Sequence, residues 1–320
     1  MWGVREVKSI ATYGNNVAGV HQVIPKLLKT FREFGIEATF STVGFLFFET
    51  KKDLLDHIPS VLPQYNNPIL SPYNGYFDSI GEDYKSDIYH FAPHLIKEIQ
   101  RYTEQEIGTH TFSHMYCQAA GHSKNAFLED IRSAKKVASK YNITIQSLIF
   151  PKNQMNEEYL KIILDEGILC YRGNEHSWLY APKDAANESR LRRAFRLLDA
   201  YINITGHNCY TDEYMKKSMP INIPSSRLLR PYSKKLRFFN AIKLRRITSG
   251  MTHAAKNNLT YHLWWHPHNF GINQDENFLF LEKILRHYQY LNEKYQFQSI
   301  TMTNLAKKLI KENGESGNTD

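Results

Sequence analysis

From Val20 to Gly35 the apolar residues Val20, Ile24, Leu27, Leu28, Phe31 and Phe34 recur at three- and four-residue intervals. That spacing predicts an amphipathic helix, which Gly35 is placed to end. The next stretch, "IEATFSTVGFLFF", is rich in β-branched and aromatic residues and reads as a buried strand. The pair of patterns then repeats. A helical stretch near 90–104 leads to "EIGTHT", one near 123–141 to "QSLIFP", and one near 155–166 to "GILCYRG". Further on come "SRLLRP", a helical candidate at 236–257, "TYHLWWHP", a helix near 276–295, and "FQSITMT". Strands alternating with helices predict an α/β fold around a parallel sheet, either open and doubly wound or closed as a barrel. The number of strand candidates suits a (β/α) barrel slightly better. In both architectures functional groups gather where strands end. His110, Pro151 and His266 all fall at the C-terminal ends of predicted strands.

The segment 50–90 reads as a long insertion, and a second is expected across 174–225. The catalytic unit is expected to span 1–306. Residues 307–320, ending "KENGESGNTD", read as a polar, disordered tail. With 42% hydrophobic residues the chain can build a globular core. No run approaches the ~20 apolar residues of a membrane span, and "MWGVREVKSI" lacks the apolar stretch of a signal peptide. Cys117, Cys170 and Cys209 stand far apart, which excludes a disulfide framework and fits a reducing, cytoplasmic setting.

Charge adds one feature. The net charge is +8, yet segment 190–246 alone carries fourteen Lys/Arg against Asp199, Asp212 and Glu213, so the remainder sums to −3. A basic segment of this kind suits nucleic acid, anionic lipid or a phosphorylated substrate, or else forms a solvated face. It shows no helix-turn-helix or aromatic RNA-binding signature, which places nucleic acid last. Within it, "LRFFNAIKLRRI" at 236–247 combines apolar residues with four cations, as an interfacial helix does. An outer barrel helix with a buried stripe has the same pattern.

His110 and His114 stand four residues apart just past Gly108-Thr109. On a helix such a pair converges on one ion. On an extended strand it lies about 13 Å apart, at about 3.3 Å per residue. Thr109, Thr111, Phe112 and Ser113 form helix poorly, so the expected geometry is a strand ending near His110 with the chain curling back.

Together, "IEATFSTVG", "EIGTHTFSH", "FPKNQ" and "LWWHPHNFG", in this order, resemble the polysaccharide deacetylase (NodB-homology) family, carbohydrate esterase family four. The likeness is greatest to the bacterial branch of surface-polysaccharide biosynthesis. Its specific pieces are Ala38-Thr39-Phe40 with Gly44, the His110/His114 pair, and Leu263 with His266. The resemblance implies a distorted (β/α) barrel and a metal-dependent hydrolase that removes acetyl groups from N-acetylated sugars. It implies His110 and His114 as ligands of a divalent metal, most simply Zn²⁺. It also implies Leu263 beside the acetyl methyl and His266 as general acid. A metal polarises the poorly electrophilic amide carbonyl, and a histidine can protonate the departing amine. His268 is the rival acid, and Trp264 and Trp265 offer a sugar-stacking surface or core packing.

Two departures stand out. Lys152 occupies the place of an arginine that orients the family's catalytic aspartate, keeping the charge without the planar fork; a solvent-exposed loop lysine is the plainer reading. The family's aspartate-bearing first strand has no counterpart, because no aspartate precedes Asp53 and Glu6 is the only carboxylate ahead of the Val20 helix. The expectation is therefore a barrel missing its first strand, impaired in activity, on a chain whose sequence starts late. A glycan-binding barrel without hydrolytic activity is the alternative.

Overall fold

The computed structural model describes residues 1–180 and 189–316; the rest of the tail and part of the 174–225 segment lie outside the described residues. After a run of turns, helices α1 (Ile10–Ala18) and α2 (Val20–Phe34) meet at Gly19. α2 buries Val23, Ile24, Leu27, Leu28 and Phe31 and stops at Gly35, which adopts the left-handed conformation with φ 66°. Gly19 and Gly271 touch backbone to backbone, with no room for a β-carbon on either. That contact fixes α1 against the loop that follows His266.

Strand β1 (Thr39–Thr42) is followed by α3 (Lys51–Leu55), a stretch of turns, α4 (Pro93–Gln100) and β2 (Glu106–Thr109). Then come α5 (Lys124–Ser139), β3 (Ser147–Leu148), α6 (Leu160–Asp165) and β4 (Cys170–Tyr171). α7 (Arg190–Asp199), α8 (Asp212–Met215) and β5 (Ile221–Asn222) follow, so the segment expected as an insertion carries a strand of the sheet. Last are β6 (Arg227–Leu228), α9 (Asn240–Lys256), β7 (Leu263–Trp264), α10 (Gln274–Tyr295) and α11 (Met302–Ser316). Strands β1 to β5 pair in parallel in chain order, and β6 pairs in parallel with β7. This is the expected α/β arrangement with helices covering a parallel sheet.

Two expectations at the C-terminus fail. "FQSITMT" forms no strand: Ser299 instead exchanges hydrogen bonds with the Glu37 backbone, and Met302 already opens α11. α11 also continues to Ser316, because Leu305, Ala306 and Leu309 lie one helical turn apart and are buried against Cys170 and Ile221.

Among the described residues β1 pairs only with β2 and β7 only with β6. Their free edges line one cavity of about 960 Å³, together with Phe31, Leu281, Ile284, Tyr288 and Ser299. All four residues of β1 are only partly buried. Such exposure is unusual for parallel strands, which ordinarily have both faces covered.

At the other side, Asp199 is fully buried and holds three elements together. Its carboxylate accepts from Arg227 at 3.0 Å, Arg246 at 3.4 Å, the Tyr180 hydroxyl at 2.8 Å and the Thr205 backbone at 3.0 Å. Burial pushes this carboxyl up, but the neighbouring Arg227 and the hydrogen bonds it accepts hold it at about 2.

Candidate active site

His110 continues the β2 ladder, its N–H donating to Thr42 O at 2.9 Å. The chain then curls back through Thr111 at φ 62° and His114 at φ 58°. Both are left-handed positions that cost a β-branched or bulky residue roughly 1–3 kcal/mol each. Asp130, on the buried face of α5, holds this curl. Its carboxylate accepts from Phe112 N at 2.7 Å, Ser113 N at 3.1 Å and Ser113 Oγ at 2.5 Å. Thr111 Oγ1 accepts from Met115 N at 2.8 Å. The two imidazoles are thereby brought to 4.9 Å between ring centroids. Burial pushes the Asp130 carboxyl up to about 6 despite these hydrogen bonds.

His110 Nδ1 donates to Ile149 O at 2.7 Å, which leaves the Nε2 lone pair free. His114 is buried and its Nδ1 has no hydrogen-bond partner. Burial lowers His110 to about 4 and His114 well below the usual range, with His110 itself adding to the latter. Both rings are therefore neutral at pH 7 and can act as lone-pair donors. Gly3 packs on His114: a β-carbon there would sit 3.2 Å from Nε2.

β7 brings the other half. Successive strand residues point to opposite sides. Leu263 and Trp265 turn toward the cluster containing Phe31 and Phe270, and Trp265 lies 5.8 Å from the Phe270 ring. Trp264 and His266 share the other side at 5.5 Å, and His266 stacks on His268 at 4.9 Å. Leu263 and Trp264 both line the cavity, and Trp264 is the ring beside His266. His266 is solvent-exposed, with protein groups crowded round its ring, on the cavity that also reaches His110, His114, Lys152 and His268. Burial and then His268 lower His266 well below the usual histidine range; burial and then the Met1 ammonium lower His268 to about 4.

Lys152, in a left-handed conformation with φ 56°, pairs with Glu6 at 2.6 Å. It is therefore neither a loose surface lysine nor paired with an aspartate. The other carboxylate oxygen of Glu6 is buried without a partner. Arg172, which the sequence reading did not single out, lies 3.9 Å over the face of Trp264 and donates to Asn153 Oδ1 at 2.5 Å. Burial lowers it to about 10. Its signal was a cation placed directly after a strand. For Asp130 the signal was an acid at the Phe127/Ile131/Ala134 spacing, on the apolar stripe of a helix.

The donor set can be weighed against a divalent ion. Two neutral imidazoles with converging rings suit zinc as two of its ligands. Among the described residues no group of three or more His, Cys, Asp or Glu is assembled to hold a metal. The residues present thus fit half of a tetrahedral set.

The fold and the site together place a histidine-lined cavity at the C-terminal end of a parallel α/β sheet. Residues 12–170 match the family model described as polysaccharide deacetylase, and the chain belongs to that family, whose members act on amide bonds of carbohydrates. A protein of Mycobacterium smegmatis assigned by name to the polysaccharide deacetylases has a similar fold. It is 12% identical, with a TM-score of 0.57 over 94% of this chain and 82% of that one. A CE4 family pseudoenzyme from Bacillus anthracis is 11% identical, with a TM-score of 0.43 over 89% and 60%. A 4-alpha-glucanotransferase from Thermococcus litoralis is 13% identical, with a TM-score of 0.43 over 89% and 35%. No curated protein matches the chain.

Proposed function

We propose that this chain is the greater part of a metal-dependent N-deacetylase for a bacterial surface polysaccharide or its precursor, completed by a strand seated between β1 and β7. The observation that carries the reading is the convergence of His110 and His114, lone pairs free, on the cavity that His266 enters from the opposite sheet edge. His110 and His114 would hold a divalent ion, zinc by donor type. Bound there, it would polarise the amide carbonyl and bring the pKa of its water to about 7.

This chain's own residues have separable tasks. His266, neutral at rest, would take up the proton released as water adds to the carbonyl and pass it to the departing amine, with Pro267 keeping its backbone extended. His268, stacked on it, supports the ring and keeps it neutral between turnovers. Trp264 offers a sugar the ring face that Arg172 does not cover. Leu263, which lines the same cavity, would lie beside the acetyl methyl. Lys152, here tied to Glu6, is the cation available to orient a catalytic carboxylate.

The support for a completing strand is geometric. Among the described residues two strand edges that line the cavity lack partners, apolar side chains from α2 and α10 line the same space, and no anionic member joins the two histidines. One segment carrying an aspartate would supply both needs. The incomplete donor set also favours a second reading, a barrel that binds glycan without hydrolysing it. The test is to express the chain alone and with the in-frame residues encoded upstream, then measure acetate release from N-acetylated oligosaccharides. Activity that appears only in the longer form supports the deacetylase reading. Glycan binding without acetate release in both forms favours the second.

A further inference from the structure

The basic segment does not dissolve into the core, and its surface is unlike a solvated face. α7 and the turn-rich stretch Lys234–Phe239 ahead of α9 lie side by side, joined where Tyr201 meets Phe239 at 6.0 Å. They display large apolar side chains to solvent: Phe238 is 79% exposed, Leu191 68% and Ile202 59%. Leu198, Phe239 and Ile242 add to the same exposed set. Interleaved with them are Arg193, Lys234, Lys235, Arg237 and Arg245, all exposed, and none of them forms an ion pair among the described residues. Lys243, Arg246 and Ile247 of the same stretch are buried, so the stripe of 236–247 divides between packing and display.

We infer that this face docks on an anionic lipid surface. Protruding aromatic and aliphatic groups gain free energy in the acyl boundary, while the surrounding cations meet lipid phosphates. A nucleic acid rewards the cations but offers little to Leu191, Ile202 and Phe238, and a purely solvated face has no use for them. The Asp199 cluster beneath, which ties α7, β6 and α9 together, gives the face a fixed shape. The chain enters both elements from the C-terminal ends of β4 and β6, the end of the sheet at which His110 and His266 stand. This inference stands on the surface alone and holds whether or not the cavity is catalytic.

The test is co-sedimentation of the full chain with phosphatidylcholine vesicles, with or without about one-third phosphatidylglycerol, at low and high salt. Binding should need the anionic lipid and weaken with salt. The variant Lys234→Glu/Lys235→Glu/Arg237→Glu should lower vesicle affinity at least tenfold, since each surface cation contributes about fivefold. Phe238→Ser/Phe239→Ser should lower it with little change in salt dependence, and thermal unfolding would verify that both variants fold. Equal binding to neutral vesicles, or full binding by the charge variant, would overturn the inference. So would tight binding to a DNA duplex that the Phe238→Ser/Phe239→Ser change leaves intact, or a change of oligomeric state in that variant without lipid binding.

Discussion

The curl that presents His114 depends on one buried carboxylate, and replacing Asp130 tests that dependence. Asp130→Ala removes the acceptor of three hydrogen bonds and leaves the Phe112 and Ser113 N–H groups without partners in the core. Orphaned buried donors cost about 1–3 kcal/mol each, so the substitution should destabilise the protein by about 3–5 kcal/mol. Asp130→Asn keeps one oxygen but turns an amide toward a donor, and should cost about 1–3 kcal/mol. The asparagine variant carries a further signature. The folded-state pKa of Asp130 is raised from 3.8 to about 6 by burial, so the folded protein binds the extra proton. That contribution is present in full below pH 4 and is lost as pH rises through 6, amounting to about 3 kcal/mol at 1.36 kcal/mol per unit. Asparagine lacks it at every pH. The penalty of Asp130→Asn should therefore be larger near pH 4 to 5 than at pH 8. Urea unfolding followed by tryptophan fluorescence at several pH values measures it, and common effects of the histidines cancel between the two proteins. A penalty that grows with pH would refute the dominance of burial over the hydrogen bonds at Asp130, and one near zero throughout would refute the account of how the curl is held.

The other predictions concern the imidazoles. The chain should bind about one Zn²⁺, weakly for want of an anionic ligand, and His110→Ala or His114→Ala should abolish that binding; metal retained by the double variant in elemental analysis would remove the ligand assignment. In the form extended with its upstream residues, His266→Ala should cut turnover ~10²–10⁴-fold with metal content unchanged, and a larger loss in His268→Ala would transfer the acid role. Gly3→Leu should displace the His114 ring, because even a β-carbon would press to 3.2 Å of Nε2. Zinc titration of that variant should show weakened binding, and unchanged affinity would mean the Met1–Val7 turns are free to retreat.

Much of this architecture was legible because its long helices announce themselves. α2 and α10 carry their stripes at unambiguous spacing, and the order of strand-like runs gave the parallel sheet. The strands themselves were harder, since β3 to β7 are two-residue ladders whose length is set by neighbours and not by local sequence. β5 escaped notice because "INI" is too short to distinguish from a loop. "FQSITMT" misled for the converse reason: its β-branched residues lack a partner strand, so Ser299 binds Glu37 and the helix begins early. In the site, the spacing of His110 and His114 suggested convergence but could not supply it, because the left-handed Thr111 depends on Asp130 from a distant helix. The sides taken by Leu263 and Trp264 followed from the register of β7, which the sequence does not state. Glu6 and Lys152 meet only through folding.

The Asp199 cluster implies an order of events in acid. Its carboxyl is held at about 2, far below the histidine range, so its bonds to Arg227 and Arg246 survive until pH falls through roughly 4 toward 2. The neutral imidazoles respond earlier, because an unfolded chain takes up protons from about pH 6.5 while His110 and His268 resist to about 4. Acidification therefore penalises the neutral imidazoles first, His207 against Arg246 included, and the Asp199 carboxylate only later. Unfolding free energy measured along a descending pH series should fall in two stages, one beginning near pH 6.5 and one below about 4, and a single late stage would refute the assignment of neutral imidazoles.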